Sequence, residues 1–130
     1  MDKLFFHHLA ERDFNMMEDL NKLEYSILER LASKYPFVKE HIPFIKVESR
    51  LNTGVGMYIN LAYNNPSNKE LKVGMENTSV STNEVIQIDG LKYGLTYEVD
   101  ISDEKIKFIE LVTNGEDWDG KVSDNFIFTK

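Results

Sequence analysis

The run Val55-Gly56-Met57-Tyr58-Ile59-Asn60-Leu61-Ala62-Tyr63 decides the fold class. Val55, Met57, Ile59, Leu61 and Tyr63 fall on every second residue, the period of a strand with one buried and one wet face. The same alternation returns at Leu71, Val73 and Met75, and again at Leu95, Tyr97, Val99 and Ile101. Shorter apolar runs at 44–48, 85–88, 106–112 and 126–128 add strand candidates. Asn64-Asn65-Pro66-Ser67, Asp89-Gly90, Ser102-Asp103-Glu104 and Asn114-Gly115 separate them as turns. Such short connections suit antiparallel hairpins, because a parallel crossover needs about a dozen residues or more.

Upstream of Pro43 the period changes. Phe14, Met17, Leu20, Leu23, Ile27 and Leu31 recur at intervals of three and four, which makes one apolar helical stripe. Asn15 with Glu18 three residues on has the form of a capping box, so a helix is expected from there. Pro36 disfavours helical backbone at Tyr35 and sets the stop. Leu4, Phe5, His8 and Leu9 could extend this helix or form a second one. The expectation is an α+β domain, with an N-terminal helix or helix pair packed on one face of a mostly antiparallel sheet of five to seven strands. At 130 residues it is read as a single domain, helical over 1–35 and sheet over 43–130.

Charge is distributed unevenly. Residues 84–130 carry eleven acidic side chains against five lysines, so they hold −6 of the chain's net −7. Such asymmetry concerns partners, not fold. It favours a basic protein partner and repels nucleic acid, although a nucleic-acid mimic stays open. No cysteine is present, which excludes disulfides and thiolate-bound metals. No stretch approaches the ~20 apolar residues of a membrane span. The start Met1-Asp2-Lys3-Leu4-Phe5-Phe6 has too short an apolar patch for a secretion signal, so the cytoplasm is the expected compartment.

No catalytic, metal or cofactor set is legible. Adjacent His7 and His8 would diverge on a helix, and with Glu11 they still fall short of a zinc site. His41, between Glu40 and Ile42, reads as a surface or hinge residue. Thr53-Gly54-Val55-Gly56 fails both dinucleotide and P-loop patterns and reads as a tight turn, shaped by Arg50, Thr53, Gly54 and Gly56. Asn114-Gly115-Glu116-Asp117-Trp118-Asp119-Gly120 fails the calcium-loop register. It reads as an acidic turn whose only tryptophan in the chain could anchor an interface while its acids steer a basic partner.

Arg50-Leu51-Asn52-Thr53-Gly54-Val55-Gly56-Met57-Tyr58, then Gly90-Leu91-Lys92-Tyr93-Gly94, then Gly115-Glu116-Asp117-Trp118 stand in one order. This order resembles a family of small bacterial proteins with an Arg-x-x-Thr-Gly-Val-Gly-aromatic turn and a Gly-Glu-x-Trp loop. Where that family carries a proline after the tryptophan, this chain has Asp119. The resemblance implies no enzymatic activity and a loose association with small acidic immunity proteins that neutralise bacterial toxins. The expected function is therefore a non-enzymatic, immunity-type inhibitor of a basic toxin. Glu98, Asp100, Glu116, Asp117, Trp118 and Asp119 are its expected partner-binding residues. The alternative is a ligand-binding or enzymatic domain with a pocket between helix and sheet, lined by Tyr58, Tyr63, Tyr93 and Tyr97. A third reading is a subunit that dimerises through a sheet edge.

Overall fold

The computed structural model describes residues 14–65 and 70–130. The expected helix of Leu4, Phe5, His8 and Leu9, and the His7–His8 pair, lie outside the described residues. Helix α1 spans Lys22–Lys34; residues 14–16 are helical too, but the expected single helix is broken over 17–21. Its cap is Asn21 with Glu24, each side chain bonding the other's backbone N–H. Asn15 and Glu18 have the same local spacing, but the Glu18 carbonyl is taken by the Val47 N–H at 2.8 Å. That bridge holds Glu18 in extended contact with the sheet and out of a helix. The stop near Pro36 is observed, with Tyr35 as the C-cap. Helix α2, Phe37–His41, and a 3-10 turn, Ile42–Phe44, lead to the sheet.

Seven strands follow: β1 Ile45–Asn52, β2 Gly56–Tyr63, β3 Thr78–Val80, β4 Val85–Ile88, β5 Leu95–Ser102, β6 Lys105–Thr113 and β7 Phe126–Thr129. They form one sheet in the order β1-β2-β6-β5-β4-β7, with β3 also paired to β5, and every pairing is antiparallel. The alternation at Leu71, Val73 and Met75 does not become a strand. Gly74 sits at φ 73°, which breaks the extended path. The flanking backbone is bound by side chains: Val73 N–H donates to Glu104 at 3.1 Å and the Lys72 carbonyl accepts from His41 at 3.0 Å. The strand in this region is β3, whose Thr-Ser-Val shows no alternation to read.

One apolar cluster joins Leu23, Ile27, Leu28 and Leu31 of α1 with one face of the sheet. That face carries Ile59, Ile109 and Val99 in register, with Met57, Leu111 and Tyr97 beside them. Two ion pairs tie α1 to the same side. Arg50 forks the Glu24 carboxylate at 2.7 and 2.8 Å and also meets Glu18, while Glu24 is only 1% exposed. Arg50 therefore anchors the helix start and does not shape the following turn. At the other end Arg30 forks Glu84 and lies over the Phe128 ring at 4.5 Å.

His41 is fully buried, a correction to its surface reading. Its Nδ1 lies 2.8 Å from the Tyr63 hydroxyl and its Nε2 3.0 Å from the Lys72 carbonyl. A carbonyl can only accept, so Nε2 carries the proton and Nδ1 accepts from Tyr63. The Tyr63 oxygen in turn accepts from Ile106 N–H at 2.8 Å. One node thus ties α2, β2, β6 and the segment around Lys72 together. Among the described residues no helix is long and apolar enough to cross a membrane.

Candidate functional site

Strand register assigns the residues of the sheet's other face. Leu51, Tyr58, Glu110 and Glu98 stand in one cross-strand row over β1, β2, β6 and β5. Ser49, Asn60, Phe108, Asp100 and Ser79 form the next row, which ends on β3. Val112 and Thr96 lie in a third. On β2 and β5 these are the even-numbered members of alternations whose odd-numbered members fill the core, so one pattern fixes both faces there.

The face mixes apolar, acidic and small polar side chains. Tyr58 and Phe108 meet edge to face with ring centroids 5.7 Å apart. Leu51 is 60% exposed at one flank, and Val112 is also exposed. The Glu110 carboxylate beside the Tyr58 hydroxyl pushes its pKa above the ordinary tyrosine value. Glu98 accepts from the Ser79 hydroxyl at 2.6 Å, and Asp100 accepts from Ser102. Neither Glu98, Asp100 nor Glu110 has a lysine or arginine partner among the described residues.

The acidic loop after β6 sits at one end of this face and divides its residues by role. Trp118 is 6% exposed and belongs to the core cluster, with its backbone N–H donating to the Gly54 carbonyl at 2.8 Å. Its indole is therefore already covered within the chain, which corrects the reading of a free surface anchor. The Glu116 carboxylate is also engaged, accepting from the N–H groups of Lys92 at 2.9 Å and Tyr93 at 2.6 Å. Asp117 and Asp119 remain at the surface, and Asp119 accepts from Lys121 N–H within its own turn. With Asp89 and Lys121 they line a depression of about 800 Å³ floored by Trp118 and Val122. Among the described residues no three His, Asp or Glu side chains gather to hold a metal ion.

Thr53 and Gly54 lie in the connection between β1 and β2, and Gly56 opens β2. Thr53 N–H donates to the Gly56 carbonyl at 3.0 Å, and Gly54 sits at φ 88° with its N–H on the Asn52 side chain. At Gly56 a Cβ would overlap the Leu111 carbonyl oxygen of the next strand, so only glycine lets β2 and β6 approach. The four tyrosines of the pocket alternative do not share a cavity. Tyr58 lies on the outer face and Tyr93 is exposed on a loop. Tyr63 serves the His41 node, and Tyr97 is buried beside Thr82.

The alternation alone puts Glu98, Asp100 and Glu110 on the exposed faces of the later strands, but it does not show Tyr58, Phe108 and Leu51 as their neighbours. The signal was present in the alternation of β2 and β6, but the register that brings the strands together is not. Comparison of the chain with protein-family models, with curated proteins and with solved structures finds no match.

Proposed function

We propose that this chain is a non-enzymatic protein-binding domain whose outer sheet face receives a basic protein, in the manner of an immunity-type inhibitor of a basic toxin. α1 joins the core cluster on the inner face, and the proposed partner takes the outer one. One observation carries the reading: Glu98 and Glu110 occupy directly opposed positions across β5 and β6, and among the described residues neither has a cationic partner. Like charges opposite one another weaken a sheet, by up to about 1 kcal/mol. A partner's arginine or lysine placed between them removes that repulsion on binding. Tyr58 and Phe108 supply the aromatic surface that such interfaces favour, and an arginine stacks readily on an aromatic ring.

The surrounding acids serve the approach. Asp100 on the face and Asp117 and Asp119 at its end extend the negative field that speeds encounter with a basic protein. Occlusion of a toxin's active site would follow from contact over so broad a face. Glu116 and Trp118 act within the fold, holding the 114–121 loop, and not as contact residues.

The test uses two baits in a pull-down from the native cell: the natural chain and the triple variant Glu98→Gln, Asp100→Asn, Glu110→Gln. A stoichiometric basic protein held by the first and lost from the second is expected, with retention that weakens as salt rises. Equal capture by both baits, or none by the natural chain, would overturn the assignment.

A further inference from the structure

Strand β7 ends the sheet, and its free edge is complementary to itself. Asp89 N–H donates to the Asn125 carbonyl at 3.3 Å, which makes 89 and 125 a hydrogen-bonded pair at the start of the β4–β7 ladder. Antiparallel ladders alternate, so Ile127 and Thr129 also turn their backbone groups toward β4. The N–H and C=O groups of Phe126 and Phe128 then face the open edge. Among the described residues nothing bonds them there. No proline, lysine or bulge interrupts Phe126-Ile127-Phe128-Thr129. The opposite edge, β1, is guarded by its bulge and by the Glu18 bridge at Val47.

We infer that β7 pairs antiparallel with β7 of a second copy, about a two-fold axis through Ile127. That register sets Phe126 opposite Phe128 of the second copy and the reverse, so that the four outward backbone groups of each copy all find partners. It sets Ile127, 63% exposed in the single chain, against its own symmetry mate. It sets Asp124 opposite Lys130 of the second copy, twice. All these positions share the parity of their partners, so opposed side chains lie on one face. Beside the edge, a depression of about 460 Å³ between α1 and β7 is lined by Ser26, Glu29, Arg30, Glu84, Phe126 and Phe128. It gives the phenylalanines of the second copy somewhere to pack. Lys22, Arg30 and Lys130 balance Glu29, Glu84 and Asp124 around this edge, so it escapes the self-repulsion of an otherwise acidic chain.

Sedimentation velocity on the full chain, over a wide concentration range, should show a monomer–dimer equilibrium. Ile127→Lys, which sets two ammonium groups face to face, abolishes the dimer. Asp124→Lys weakens it about tenfold, and the swap Asp124→Lys with Lys130→Asp restores it. All three positions are exposed, and circular dichroism checks that each variant stays folded. Hydrogen exchange gives an independent reading: the amides of Phe126 and Phe128 gain protection with concentration, while Ile127 is protected throughout. A chain that stays monomeric at its highest concentration overturns the inference. So does a dimer that survives Ile127→Lys or leaves the two phenylalanine amides exchanging freely. Ile127 lies on the outer side of the sheet, but β4 separates β7 from the strand of Glu98 and Asp100, and the triple variant does not touch β7, so failure here and failure of the inhibitor reading are separable.

Discussion

Glu98 on β5 and Glu110 on β6 face each other directly across the sheet, and neither has a cationic partner among the described residues. A sheet built only for stability would place a lysine at one of these sites. Glu98→Lys is therefore expected to raise stability by about 0.5 kcal/mol in urea unfolding at low salt, with the gain shrinking as salt is added. A variant less stable than the natural chain would show that the repulsion is already relieved.

Arg50 leaves a different mark when removed. Glu24 is almost wholly buried and depends on the Arg50 guanidinium for its charge partner. Arg50→Ala should cost about 3 kcal/mol, because it strands a buried carboxylate at the helix start. Arg50→Lys keeps the charge but loses the two-pronged contact, and should fall between. Denaturant midpoints at an unchanged slope provide the measurement; a loss below ~1 kcal/mol for the alanine variant would contradict this account.

The Glu84 carboxyl responds to acid. The Arg30 guanidinium holds its pKa below the usual carboxylate value, with help from the Thr82 hydroxyl and against the opposing effect of burial. A carboxylate with a lower pKa folded than unfolded contributes its full stability above the unfolded value, about 4.5 here, and loses it as pH falls through the folded value. Stability should therefore decline as pH drops below about 4.5, and Glu84→Gln should flatten that part of the profile. Parallel profiles for the two proteins would assign the acid sensitivity elsewhere.

Tyr63 is the centre of a buried node. Tyr63→Phe removes the hydroxyl that accepts from Ile106 N–H and donates to His41, leaving two buried polar groups unsatisfied. The expected loss is about 2 kcal/mol by thermal or urea unfolding, accompanied by faster exchange of the Ile106 amide. An unaltered exchange rate at Ile106 would mean that the bond carries little weight.

Much of the fold was legible because alternation is a local signal. The wet and dry faces of β2 and β5 follow from Met57, Ile59 and Leu61 and from Tyr97, Val99 and Ile101 alone. Helix α1 was legible for the same reason, although two capping boxes six residues apart could not be ranked without the Glu18–Val47 bridge. What was illegible depends on partners distant in the chain. His41 is buried by groups 22 and 31 residues away, and Arg50 finds Glu24 across 26. Trp118 among acids reads as exposed, yet its backbone N–H on Gly54 and its place in the core draw it inward. Residues 71–76 alternate without a strand because Gly74 and side-chain bonds hold them first. For the site, Glu98 and Asp100 were visible, but the neighbours that give them a use arrive through the β2–β6 register.

That register has a kinetic meaning. β1–β2 and β5–β6 are hairpins that can each close locally, whereas β2 and β6 meet only after a long loop is drawn in. Leu51 and Tyr58 belong to the first hairpin; Glu98, Phe108 and Glu110 belong to the second. Only when the two hairpins join does Tyr58 come beside Phe108 and Glu110. A half-assembled chain consequently lacks the Tyr58–Phe108 aromatic pair, and closing the seam between Tyr58 and Glu110 is the step that completes the outer face.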